Sequence, residues 1–123
     1  MERYSSLLQL DSALGNKVAA YSKGMKRKLS LLITLLRNTS ILLLDELTSG
    51  VDPESRRVMR SVLRQLKEEG RTVILTSHDL AEVQKISDWI TILNGGTVVE
   101  TINNQEFNGD LENRFFAVLE GNK

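Results

Sequence analysis

The order of apolar and polar residues divides the chain into short elements. Glu2 to Leu10 reads as a short amphipathic helix with Tyr4, Leu7 and Leu8 on one side. The stretch "DSALGNKVAAYSKG" is loop-like, with Gly15 and Asn16 as breakers. Ser22 is placed to cap a helix from about Gly24 to Arg37. Met25, Leu29, Leu32, Ile33 and Leu36 recur at helical spacing and form its expected buried stripe, and Asn38 is the expected stop. Ile41 to Leu44 is a short, wholly apolar run, the pattern of a strand covered on both faces of a parallel sheet.

Asp52 followed by Pro53 is the cap-then-proline order that opens a helix. That helix runs to about Glu69. It should bury Val58, Met59, Val62, Leu63 and Leu66, and set Arg56, Arg57, Arg60, Arg64 and Lys67 on its outer arc. Gly70 ends it. "TVILT", Thr72 to Thr76, is a second strand, so strand, helix and strand predict a parallel βαβ crossover. A further helix to about Ser87 should bury Leu80, Val83 and Ile86. "WITIL" and "TVVET" flank "NGG", a hairpin signal. One more helix is expected near Leu111 to Leu119.

Composition narrows the class. The chain has 123 residues, 41% of them hydrophobic, enough for one domain or part of one. Sixteen basic and sixteen acidic residues cancel, so no net charge draws it to nucleic acid, and no nucleic-acid partner is expected. Without cysteine there is no disulfide or thiolate metal site, and the single histidine, His78, excludes a multi-histidine one. The N-terminus lacks the basic-then-apolar order of a signal peptide. The greasiest stretch, "LSLLITLLRNTSILLL", is broken by Arg37, Asn38, Thr39 and Ser40. It falls short of the roughly 20 apolar residues that a membrane-spanning helix needs.

The chemistry concentrates where the strands end. The first strand delivers Asp45 and Glu46, and the second delivers Ser77 and His78. In open α/β sheets, ligands bind off the carboxyl ends of the strands. Adjacent carboxylates raise each other's cost of ionisation, so they belong at a solvated strand end or beside a cation. An apolar strand ending in Asp-Glu suits phosphoryl chemistry: the Asp holds Mg²⁺ through water, and the Glu takes a proton from an attacking water. Taken singly, the acid pair is equally a helix cap or a solvated turn, His78 a surface residue, and "YSKGMKRK" an ordinary helix start with a basic face. Order and spacing together carry the signal.

That order resembles the nucleotide-binding domains of ABC ATPases. "YSKGMKRKLS" is similar to their signature, "ILLLDE" to the Walker B strand, "SGVD" to the D-loop and "TSHD" to the switch-histidine loop. The variants Tyr21, Met25 and Lys26-Arg27-Lys28 resemble A-subfamily transporters and bacterial drug exporters. The likeness covers about Leu7 to Glu106. It implies an α/β fold of P-loop NTPase type, with an incomplete parallel sheet flanked by helices and a C-terminal β-hairpin. Residues 1–38 would be part of the helical subdomain, 39–102 part of the ATPase core and 103–123 a helical tail.

The resemblance also implies roles. ATP and Mg²⁺ are the expected cofactors. Ser22, Lys23 and Gly24 would meet the γ-phosphate of ATP held by an opposite domain; Asp45 would position Mg²⁺, Glu46 would be the general base, and His78 would hold the γ-phosphate and orient the water. Ser49 to Asp52 would cross the interface between two nucleotide-binding domains. Expected partners are that second domain and a transmembrane domain, at the cytoplasmic face of a membrane. Related readings are a soluble ABC ATPase acting on ribosomes or in DNA repair, and a non-catalytic regulatory half-domain.

Three features depart from the family pattern. Lys23 stands where the signature has its first glycine, and Leu47 where a proline usually follows the acid pair, which should loosen that turn. No glycine precedes Lys-Ser or Lys-Thr, so the G-x-x-x-x-G-K-[ST] phosphate loop (Walker A) is absent, as is the glutamine loop. The expectation is the C-terminal half of a nucleotide-binding domain, inactive alone, with apolar strand edges exposed.

Overall fold

Strand β1 (Ile41–Asp45) pairs in parallel with β2 (Thr72–Thr76), and everything in the first half of the chain is arranged around this pair. The computed structural model describes residues 2–121. Two compact units emerge, Met1–His78 and Asp79–Lys123.

In the first unit, α3 (Pro53–Glu68) connects the two strands, as the crossover pattern predicts. Asp52 caps it by accepting from the Ser55 amide at 3.0 Å, and Pro53 enters where no intrahelical N–H is required. Gly70, at φ 86°, turns the chain out of the helix in a conformation that costs other residues more. Val58, Met59, Val62, Leu63 and Leu66 are all buried, and α3 packs on β2 and on α2 (Lys23–Leu36). Each such side chain contributes about 1.5–3 kcal/mol. Of the five basic residues expected on the outer arc, Arg56 and Arg60 are half-buried, and Arg56 Nε donates to the Val51 carbonyl at 2.8 Å. Arg71 Nε donates to the Thr39 carbonyl at 2.8 Å and ties the start of β2 to the approach to β1.

Helix α1 (Glu2–Leu7) is shorter than its apolar pattern suggests. Gln9 adopts φ 59°, and the Leu10 amide reaches back to the Ser5 carbonyl at 2.8 Å, a left-handed helix stop. Asn38, at φ 51°, plays the corresponding part after α2. The connection between α1 and α2 holds one 3-10 turn, Val18–Ala20, and is pinned by the Tyr21 hydroxyl donating to the Ala13 carbonyl at 2.6 Å.

Two expectations need correcting. The buried stripe of α2 is Gly24, Lys28, Leu31, Leu32 and Leu35, not the stripe through Met25, Leu29, Ile33 and Leu36. Both faces carry apolar residues at helical spacing, so periodicity alone does not choose between them. The choice falls to Gly24, whose missing side chain lets α2 close on α3. The strands are also covered on one face only. Leu42 and Leu44 point into the core, whereas Ile41, Leu43 and Ile74 are exposed, Leu43 to 72%. Parallel register puts Ile41, Leu43, Asp45, Thr72, Ile74 and Thr76 on that open face.

The second unit packs α4 (Leu80–Ile86) and α5 (Leu111–Gly121) with the hairpin of β3 (Trp89–Asn94) and β4 (Thr97–Asn103). Gly95 and Gly96 form the turn with φ of 58° and 77°, the left-handed pair that two-residue hairpins favour. The antiparallel register slips between Ile92 and Leu93, where a bulge interrupts the pairing. Ile90, Ile92, Ile102 and Leu111 make the core, with Leu80 and Val83 packed against it. Leu80, Val83 and Ile86 are half-buried, short of the full burial their spacing suggests, and the buried residue of α4 is Glu82. Gln84 fastens α5: its side chain donates to the Gly109 carbonyl at 2.8 Å and accepts from the Leu111 amide at 3.1 Å.

The difference between the two sheet faces is measurable. Leu42→Ala should cost about 3 kcal/mol of stability. Leu43→Thr, on the open face, should change it by no more than about 0.5 kcal/mol. Urea unfolding of the two variants checks this, and equal costs would show that both faces are covered.

Candidate functional site

β1 ends at Asp45 and β2 at Thr76, and the register places these two residues opposite each other. The Thr76 hydroxyl donates to Asp45 Oδ1. The chain then turns sharply at Glu46, whose φ of 51° lies in a region that side chains other than glycine and asparagine seldom adopt. The Glu46 amide donates to the Thr76 carbonyl at 3.1 Å, which holds the turn against the end of β2. Two residues beyond Thr76 stands His78, whose Nε2 lies 3.2 Å from Glu46 Oε1. The imidazole is 96% exposed and the Glu46 side chain 28% exposed, so a carboxylate and an imidazole meet at the solvent edge. The convergence of the two strand ends is thus a geometric fact: Asp45, Glu46 and His78 share one edge of the sheet.

The segment after Glu46 is anchored. Leu47 and Val51 are buried, the Ser49 amide donates to the Glu46 carbonyl at 3.3 Å, and the Val51 amide donates to the Thr48 carbonyl at 3.2 Å. The apolar Leu47 side chain, in the place where the family pattern has a proline, packs into the core and anchors the loop there. Gly50 sits at φ 67°, and the Lys23 side chain lies over it, so that a Cβ at Gly50 would collide with Lys23 Nζ. Ser49 and Gly50 thus lie beside the first turn of α2.

The start of α2 meets the start of α3. Ser22 caps α2 by accepting from the Met25 amide at 3.1 Å. A Cβ on Gly24 would stand 2.5 Å from Ser55 Oγ and 2.6 Å from Asp52 Oδ1, so only glycine permits the approach. The Ser55 backbone amide, and then its hydroxyl, hold the Asp52 carboxyl below the usual aspartate range, with the Lys28 charge adding to the effect. Lys28 itself is buried on this face of α2. At both helix starts a cap side chain already takes one of the first amides, Ser22 that of Met25 and Asp52 that of Ser55.

Sequence reasoning passed over Thr76, Ser55 and Lys28. In the sequence Thr76 reads only as a strand-forming residue, Ser55 only as a helix position and Lys28 only as part of the basic run in the signature helix. The signal for Thr76 was its place at the end of one parallel strand, across from an acid at the end of the other.

A chain that carries an acid pair and a histidine at the carboxyl ends of parallel strands, beside two helix N-termini, has the architecture of a nucleotide-binding α/β domain. Residues 6–84 match the family described as "AAA domain, putative AbiEii toxin, Type IV TA system". Among curated proteins, the chain is 39% identical over 95 residues to Nod factor export ATP-binding protein I of Rhizobium etli, covering 75% of this chain and 30% of the relative. It is 30% identical over 124 residues to ABC transporter ATP-binding protein NatA of Bacillus subtilis, covering 97% of this chain and 50% of the relative. It is 38% identical over 91 residues to ABC transporter A family member 1 of Dictyostelium discoideum, covering 74% of this chain and 10% of the relative. The chain belongs to this AAA-domain family, and its curated relatives put it among the ATP-binding domains of ABC ATPases.

Its fold is that of a solved ATP-binding subunit of an ABC transporter, with a TM-score of 0.82 at 22% identity over 95% of this chain and 52% of that one. The chain spans half or less of the length of these curated relatives.

Two outcomes follow for the helix corner. Gly24→Ala should push α2 from α3 and cost about 1–3 kcal/mol in chemical denaturation. The lowered carboxyl of Asp52 gives stability that is present above the ordinary aspartate value, near pH 4, and lost as pH falls through the lower folded value. Asp52→Asn should therefore flatten the stability curve below about pH 4, as read by urea unfolding from pH 2.5 to 6.

Proposed function

We propose that this chain supplies the Walker B, D-loop, signature and switch-histidine part of an ABC transporter's nucleotide-binding domain, which binds and hydrolyses ATP to drive transport. The observation that carries the reading is the contact between Glu46 and His78 beside Asp45, at the ends of two parallel strands. In this reading Glu46 is the general base for the attacking water. His78, 3.2 Å away, orients it and contacts the γ-phosphate.

Asp45 fits an indirect hold on Mg²⁺. It is exposed, with one carboxylate oxygen engaged by Thr76. Among the described residues no group of three acidic, histidine or cysteine side chains could cage a metal. Mg²⁺ keeps several waters and binds through one or two carboxylates together with substrate phosphates, which matches such a sparse donor set. When bound, it would neutralise charge on the transferring phosphoryl group.

Ser22, Lys23 and Gly24 at the start of α2 would face the γ-phosphate of a nucleotide cradled by a second domain. Ser49 and Asp52 would lie at that same interface. The chain contains no G-x-x-x-x-G-K-[ST] loop, so the triphosphate must be cradled by other residues. In this reading the partners, as in ABC transporters, are a second nucleotide-binding domain and a transmembrane domain. Among the described residues no helix is long and apolar enough to cross a membrane; in this reading the domain works at the membrane's cytoplasmic face, beside the transmembrane partner.

A second reading, a soluble ABC ATPase, draws on 27% identity and a TM-score of 0.72 to a solved complex of archaeal ribosomal stalk protein and ribosome recycling factor, over 85% of this chain. The transporter reading is ahead because relatives at 38–39% identity are named as an ABC transporter A family member and an export ATP-binding protein.

The purified chain should show no Mg²⁺-dependent ATP turnover above background. Supplied with the loop-bearing half of such a domain, which has no acid pair of its own, it should restore turnover. Glu46→Gln should lower that turnover at least about 100-fold. Robust hydrolysis by the chain alone, or restored turnover indifferent to Glu46→Gln, would overturn the assignment.

A further inference from the structure

We propose that Thr76 is a positioning residue for the acid pair: its hydroxyl sets the Asp45 carboxylate and helps hold Glu46 in its left-handed turn. This rests on reading Asp45 and Glu46 as the metal-and-water station of the site. A threonine hydroxyl has one proton to give and two lone pairs to offer. Here the proton goes to Asp45 Oδ1. The Glu46 amide, which donates to the Thr76 carbonyl at 3.1 Å, also points at Thr76 Oγ1 at 3.3 Å. The direction of the chain is therefore set: Glu46 N–H to Thr76 hydroxyl to Asp45 carboxylate. One side chain joins the backbone of one acid to the carboxylate of the other.

The arrangement matters because Glu46 is held in an unusual conformation. A non-glycine residue at φ 51° persists only where its surroundings hold it. What holds it is the end of β2, and Thr76 contributes both of the acceptors involved. If the Glu46 backbone relaxes, its carboxylate leaves His78. If Asp45 loses Thr76, its Oδ1 is free to rotate away from the edge, and the oxygen turned toward a cation is no longer specified. Parallel register is what makes this possible, since Asp45 and Thr76 are direct partners on the open face of the sheet.

A bland account competes: threonine is a good strand residue, and any β-branched side chain would serve. Two substitutions separate the accounts. Thr76→Val keeps the branched shape and removes the hydroxyl, while Thr76→Ser keeps the hydroxyl and removes a methyl. The full chain carrying either one is compared with the parent by NMR. Three readouts are taken: hydrogen exchange of the Glu46 amide against that of Val62 inside α3, the Asp45 carboxyl carbon shift, and the His78 ring nitrogen shifts.

Thr76→Val should speed Glu46 exchange about fivefold relative to Val62, and should move both the Asp45 and the His78 signals. Thr76→Ser should keep all three near the parent. Should the valine variant not fold, Thr76→Ile makes the same comparison, keeping the branch without the hydroxyl. Unchanged Glu46 exchange and Asp45 shift without the hydroxyl would overturn the proposal, as would a serine variant that behaves like valine. None of these readouts needs nucleotide. A negative result here would leave the ATPase reading standing, and a failure of Glu46→Gln to affect assembled turnover would leave this one standing.

Discussion

The parallel pairing of β1 with β2, in the register that sets Asp45 against Thr76, is the constraint on which the site depends. Side chains alternate along a strand, so a slip of one residue would exchange the core face for the open one. Leu42 and Leu44 would leave the interior, and Asp45 would turn toward α3. The register is therefore secured by the same burial that stabilises the unit. The chemistry at the strand ends inherits its geometry from the packing behind it.

A second dependency runs through Gly24. Because it has no side chain, the first turn of α2 rests directly against Ser55 and Asp52 at the first turn of α3. This approach brings Ser22 and Lys23 beside the Ser49–Gly50 turn, and it selects which of two apolar faces α2 buries. Asp52 works for both sides: it caps α3 and lies against Gly24. The loop from Glu46 to Asp52 is thus braced at one end by β2, in the middle by buried Leu47 and Val51, and at the other end by the helix corner.

The open face of the sheet belongs to the same logic. Parallel sheets are ordinarily buried on both sides, and Ile41, Leu43 and Ile74 have the composition of buried residues. Asp45 and Thr76 continue that face at the strand ends. The apolar surface and the acidic edge are therefore successive rows of one surface.

Much of this was legible in the residue order. The apolar runs located both strands and α3, the Asp52-Pro53 pair marked the start of α3, and Asn94-Gly95-Gly96 located the hairpin. The resemblance carried by "YSKGMKRKLS", "ILLLDE" and "TSHD" pointed to the ABC family on residue order alone. These features are local: each depends on propensity, capping or spacing within a few residues, or on motifs that lie along the chain. What only the tertiary structure decided involves residues far apart in sequence. The α2 stripe was settled by contact with α3, because two apolar faces are equal until a neighbour chooses one. The exposure of Leu43 was settled by which layers are present, since an apolar strand reads the same with one cover or two. The role of Thr76 came from register, which pairs residues thirty-one positions apart and has no local signature. Local physics determined what the elements are, and packing determined which side of each one is used.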